Sequence, residues 1–220
     1  DSTLGLALMD QDPSMTAKAV GLYREVAQMD PQTWWHWERL AAVHLQAGQP
    51  EAALGPLEKS LAILDGIPRS ANSRLLQGMA YLALNEPTAA LTSFNESIRL
   101  KPDFSTAFAN RGASYNQVGQ YQRAIQDLDQ AIKLNPDIAV AYNNRGNSYG
   151  NLDQLQRAID DYDKAIHLDP RFALAYSNRA LAHTYLGRDD EAREDVERGI
   201  ELGLDPGPIL AKIEEVRNAR

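Results

Sequence analysis

Asparagines stand at positions 110, 144 and 178, each 34 residues from the next. A carboxamide carries a donor and an acceptor together, the pair that an extended peptide backbone offers in return. A regular series of them therefore suits recognition rather than bond making. Residues suited to bond making are scarce. His36, His44, His167 and His183 are the only histidines, and His44 and His183 fall in a row otherwise held by Tyr81, Tyr115 and Tyr149, which reads as packing. The acidic run QRAIDDYDKAI offers Asp160, Asp161 and Asp163, but carboxylates projecting around a helix do not converge on an ion as those of a bent loop do. A solvated face explains them better. No H-E-x-x-H, phosphate-binding glycine loop or nucleophile elbow occurs. With 0 cysteines, thiolate chemistry and Cys-based metal sites are excluded. The sequence predicts a non-catalytic chain with neither cofactor nor metal.

The elements that position these side chains follow from an internal repeat. RLKP ends at Pro102, KLNP at Pro136 and HLDP at Pro170, a fixed period of the kind that stacked helical units show. The copies STAFANRGASYNQVGQYQRAIQDLDQAIKLNP and AVAYNNRGNSYGNLDQLQRAIDDYDKAIHLDP agree at about half their positions. Helical spacing runs through both halves of each copy, interrupted by VGQ or LDQ and closed by Asn/Asp-Pro. Each copy is thus two antiparallel helices. Small residues recur where the two must touch, at Ala41, Gly78, Gly112, Gly146 and Ala180 on the first helix and at Ala53, Ala90, Ala124, Ala158 and Ala192 on the second. Bulky residues surround them, among them Trp37, Phe108, Tyr142 and Tyr176, and Leu57, Phe94, Leu128, Tyr162 and Val196. Such alternation lets helices interlock.

On these residues the chain resembles the tetratricopeptide repeat family over nearly its whole length. The resemblance implies an all-α fold, a right-handed superhelical solenoid of antiparallel helix pairs with about five to six repeats. The expected organisation is a partial N-terminal repeat over 1–33, with STLGLALMD as a short first helix, an irregular repeat over 34–70, repeats over 71–104, 105–138, 139–172 and 173–206, and a capping helix over 207–220. Gly55-Pro56 should kink the second helix of the irregular repeat. In the segment PILAKIEEVRNAR, Ile209, Ile213 and Val216 share one face, as a helix closing a solenoid requires.

The family binds partners on a concave surface lined by first helices. One helical face then selects Asn110; Asn143, Asn144 and Asn147; and Ser177 and Asn178 as peptide-binding residues. Some members clamp a C-terminal carboxylate with Lys, Asn and Arg on three first helices; here Asn147 and Asn178 match two of those five places, Asn143 stands where a Lys should be, and the third helix is lacking. Arg111, Arg145 and Arg179 each follow an asparagine rung, and their stems can pack between helices while the guanidinium pairs with acids such as Asp127 or Asp161. All three tryptophans lie within WWHW. Trp37 belongs to the core row, Trp34 covers a turn, and Trp35 is the spare one, facing inward beside Arg39, where it serves either as an aromatic anchor for a peptide or as packing for the short N-terminal helix.

A formal net charge of −8 with no basic block argues against nucleic acid or an anionic membrane as partner. No run of eighteen apolar residues calls for membrane insertion, and the compartment stays open between cytoplasm and extracytoplasmic space. The expected partner is a protein or peptide held along an asparagine ladder, which makes the chain a scaffold. Two alternatives stand beside it: a substrate-targeting arm of a larger enzyme such as a glycosyltransferase, which the ladder also resembles, and a self-assembling homo-oligomer.

Overall fold

The computed structural model describes residues 13–64, 67 and 70–219. Among these residues the fold is entirely α-helical: α1 (Pro13–Met29), α2 (Trp34–Gln46), α3 (Pro50–Leu64), α4 (Ala71–Ala83), α5 (Pro87–Leu100), α6 (Ser105–Gln117), α7 (Tyr121–Leu134), α8 (Ala139–Asn151), α9 (Leu155–Leu168), α10 (Ala173–Tyr185), α11 (Asp189–Glu201) and α12 (Pro206–Asn218). The short helix expected over STLGLALMD lies outside the described residues. α3 runs as one helix through Pro56, although proline supplies no N–H for the bond back to the Ala52 carbonyl.

The turns carry the period in the backbone itself. Gly48, Asn85, Gly119, Asp153 and Gly187 all take a left-handed conformation, with φ of 67, 60, 72, 59 and 73°. The next residue in each case donates its N–H back over the end of the first helix: Gln49 to His44, Glu86 to Tyr81, Gln120 to Tyr115, Gln154 to Tyr149 and Arg188 to His183. That bond satisfies a carbonyl the helix leaves orphaned, at a site where glycine fits without strain and Asn or Asp is tolerated.

Two compact units divide the chain, residues 1–110 and 111–220, with the boundary inside α6. In the first, α2 pairs with α3 and α4 with α5, while α1 packs on α2 and α3 on α4. Leu57 and Phe94 are fully buried there, each contributing about 1.5–3 kcal/mol by leaving water. In the second, α8 pairs with α9 and α10 with α11, and α7 and α9 lean on the following first helices α8 and α10. Glycine is required at two of the crossings. A Cβ on Gly112 would sit 2.7 Å from Leu128 Cγ, and one on Gly146 2.6 Å from Tyr162 Cε1. α12 follows Asp205, whose side chain accepts the Gly207 N–H at 3.0 Å. It packs on α10 and α11, burying Ile209 and Ile213 with Ala180, Ala192 and Val196, and Val216 on the same helix is buried as well.

Candidate functional site

A groove of about 800 Å³ opens in the unit formed by residues 111–220. α6 contributes Asn116, α8 Asn147 and Asn151, α10 Asn178, Leu181 and Tyr185, and α12 Lys212. First helices and α12 supply these seven residues, and the second helix α9 adds Leu155 and Tyr162. The lining is mostly neutral and amide-rich, with apolar surface from Leu181 and from Tyr185, which is 47 % exposed. Lys212 sits on the rim, its ammonium bonded to Glu215 at 2.8 Å.

Several amides are held by the fold. Asn147 Oδ1 accepts the Tyr162 hydroxyl at 2.8 Å, and Asn151 donates to the Asn147 carbonyl, also at 2.8 Å. Asn178 Nδ2 donates to Asn143 Oδ1 at 2.9 Å. Asn116 spans two partners on α8, donating to the Asn144 carbonyl at 2.8 Å and accepting from Ser148 Oγ at 2.6 Å. Burial and then the charge of Asp161 push the Tyr162 phenol above its ordinary range, so it stays protonated and able to donate.

Of the residues singled out in the sequence, Asn147 and Asn178 line this groove. Asn143 was expected to face it but is 4 % exposed; its amide serves Asn178 instead. Asn144 and Ser177 are half-buried on α8 and α10 and do not form the lining. Asn110 lies in the other unit and turns its Nδ2 back to the Thr106 carbonyl of its own helix, at 2.8 Å. Asn116, Asn151, Tyr185, Lys212 and the hydroxyl of Tyr162 escaped sequence reasoning. Counting one further helical turn along each first helix past Asn147 would have reached Asn151 and Tyr185.

The arginines that follow the asparagine rungs are fully engaged in ion pairs. Arg111 holds Asp127 through Nε and Nη2 at 2.6 and 2.7 Å. Arg145 holds Asp161 in the same two-pronged way and reaches Asp129 as well. Arg179 repeats this with Asp195 and Asp163. Hydrogen bonds to Asp161 and Asp195 are the leading reason that Arg145 and Arg179 are held above their ordinary pKa. In the first unit, Gln77 and Ser93 take the corresponding places with a neutral bond at 3.3 Å.

The tryptophans differ sharply in exposure. Trp37 is 6 % exposed, with Nε1 donating to the Pro31 carbonyl at 2.9 Å, and Trp34 is half-buried. Trp35 is 45 % exposed, with the Arg39 guanidinium 5.9 Å from its ring centre. Among the described residues no cluster of three or more His, Asp or Glu is placed to hold a metal ion, and no helix is long and apolar enough to cross a membrane.

Family models described as tetratricopeptide repeat match residues 71–104, 105–138, 139–172 and 172–203. No curated protein matches the chain. Among solved structures, a crystal structure of MamA is 27 % identical with a TM-score of 0.61, over 74 % of this chain and 94 % of that one. PilF of Pseudomonas aeruginosa is 20 % identical with a TM-score of 0.69, over 84 % and 86 %. The APC/C hetero-tetramer Cut9–Hcn1 is 16 % identical with a TM-score of 0.84, over 98 % of this chain and 45 % of that one. The last two likenesses are of fold alone.

Proposed function

The chain belongs to the tetratricopeptide repeat family, and on that footing we propose that it is a non-catalytic scaffold that binds an extended peptide segment of a protein partner. One observation carries this reading: a single groove gathers Asn147 and Asn178 beside the apolar surfaces of Leu181 and Tyr185. Amides read a main chain without regard to its side chains, and the apolar patch supplies the anchor that a few hydrogen bonds lack. Because each bond adds only about 1 kcal/mol net, a ligand must engage several groups together. Trp35 with Arg39 is a second anchor, carried by the first unit.

Random twelve-residue peptides displayed on phage and selected on the whole chain test this. Selected peptides should bind with Asn147→Ala and Asn178→Ala each weakening them about fivefold, the equivalent of about 1 kcal/mol. Failure to select any peptide, or peptides indifferent to the double variant, overturns the proposal. A self-assembly reading draws on the exposure of Leu22, Val26 and Met29 along one stripe of α1; light scattering that shows mass rising with concentration would favour it.

A further inference from the structure

Two buried polar residues beneath the groove are not accounted for by packing. Tyr162 occupies a row whose other members are Tyr23, Leu57, Phe94, Leu128 and Val196, and the four apolar ones show that hydrocarbon is enough to fill that place. A buried hydroxyl is unfavourable unless it is bonded, and this one is bonded to Asn147. Asn143 likewise stands where the neighbouring repeats have Ala109 and Ser177, and its Oδ1 takes the Nδ2 proton of Asn178. Both departures from the repeat occur beneath one groove, and each serves one amide of its lining.

We propose that Tyr162 and Asn143 are positioning residues that fix the polarity of the groove, holding Asn147 as a donor and Asn178 as an acceptor toward a peptide main chain. This rests on the peptide-binding reading above. A free carboxamide turns over at little cost and offers either atom. Tyr162 takes one lone pair of Asn147 Oδ1 and leaves both Nδ2 protons for a ligand; Asn143 takes one Nδ2 proton of Asn178 and leaves both lone pairs of its Oδ1. Preorganised groups bind more tightly because the ordering is done before the ligand arrives. The partner class narrows as a result. The segment best presents a carbonyl to Asn147 and a main-chain N–H to Asn178, so proline or an N-methyl residue is disfavoured at the second place.

The probe is a twelve-residue peptide selected on the chain, synthesised with one N-methyl group at each main-chain position in turn. On the wild-type chain, N-methylation at one interior position should weaken binding at least tenfold, and the effect should vanish in Asn178→Ala. Tyr162→Phe, which removes only the hydroxyl, should weaken the unmodified peptide about two- to fivefold, no more than Asn147→Ala does, and Asn143→Ala should flatten the N-methyl profile, because the Asn178 amide can then turn over. Two results overturn the proposal: Tyr162→Phe binding as wild type does while Asn147→Ala binds weakly, or an N-methyl profile that is the same in Asn178→Ala as in wild type. Indifference of the peptide to both Asn147→Ala and Asn178→Ala overturns the underlying peptide reading as well. Tyr162→Phe keeps the buried ring, so its comparison with Asn147→Ala decides even where Asn143→Ala folds poorly.

Discussion

Arg145 grips Asp161 with two parallel bonds, Nε to Oδ2 at 2.8 Å and Nη2 to Oδ1 at 2.6 Å, across the contact between α8 and α9. The carboxylate side chain is 8 % exposed and the arginine 19 %. Breaking such a pair from one side leaves a charge without compensation in a poorly solvated place. Arg145→Leu is therefore expected to cost about 3 kcal/mol in urea unfolding, while the double change with Asp161→Leu should cost markedly less than the two singles together. Additive losses would mean that the pair is not coupled.

Glycines at the crossings and glycines on open faces should respond with opposite sign. Gly146→Ala places a methyl 2.6 Å from Tyr162 Cε1 and should lower stability by about 1–3 kcal/mol through overpacking. Gly55, inside α3, has room for a methyl, with no neighbouring atom within 4 Å of the place its Cβ would take. Gly55→Ala should therefore raise stability by about 0.5–1 kcal/mol by restricting the unfolded chain. Thermal melts of the two variants check both signs at once.

The contrast between these glycines shows what was legible in the sequence. Helix pairing and the small residues at each crossing follow from the 34-residue period, because a repeated contact leaves a repeated residue; Ala41, Ala53, Ala90 and Ala180 are all fully buried. The pairing of Arg145 with Asp161 was readable for the same reason. Asn143 was misjudged because its place on the helical face borders the groove, and only the packing of α8 on α10 decides which side of that border it takes. Tyr162 was read as a bulky core residue, which it is; its hydroxyl matters through Asn147, and a contact between one residue's last atom and another's amide leaves no periodic trace.

His183 gives the fold a pH dependence. Its Nδ1 is buried without a partner, and burial, ahead of the opposing charges of Asp195 and Glu191 and the like charges of Arg179 and Arg188, holds its pKa below the ordinary histidine value. The unfolded chain thus binds a proton more readily than the folded one. Stability from this residue is complete above the ordinary histidine pKa and declines as pH falls toward the lowered folded value. Urea unfolding between about pH 7.5 and 5.5 should show this decline, and His183→Tyr, the residue its row carries at Tyr115 and Tyr149, should remove part of it. An unchanged pH profile in that variant would assign the effect elsewhere.

The tryptophans supply a paired comparison. Trp37→Ala opens a cavity beside Ala27 and Leu40 and removes a bond to Pro31, a loss expected at about 3–5 kcal/mol. Trp35→Ala strips an exposed ring and should change stability by no more than about 0.5 kcal/mol. Circular dichroism in urea distinguishes the two, and a large destabilisation by Trp35→Ala would place that ring in the core.

Arg145 and Arg179 each sit midway between two aspartates, 16 residues ahead and 16 behind. That symmetry sets a grammar for changing the length of the protein. A tandem duplication of residues 139–172 brings its own Asp161 and Asp163, so each arginine in the longer chain still finds one carboxylate on either side, and none is orphaned at the joint. An insertion of another length inside one of these helices shifts an arginine away from its partners and leaves the charges of Asp161 or Asp195 uncompensated where they are buried. Growth and shrinkage by whole copies are thus the moves that the electrostatics permit, and the ion pairs act as the fold's error check on where each copy begins, while leaving their number open.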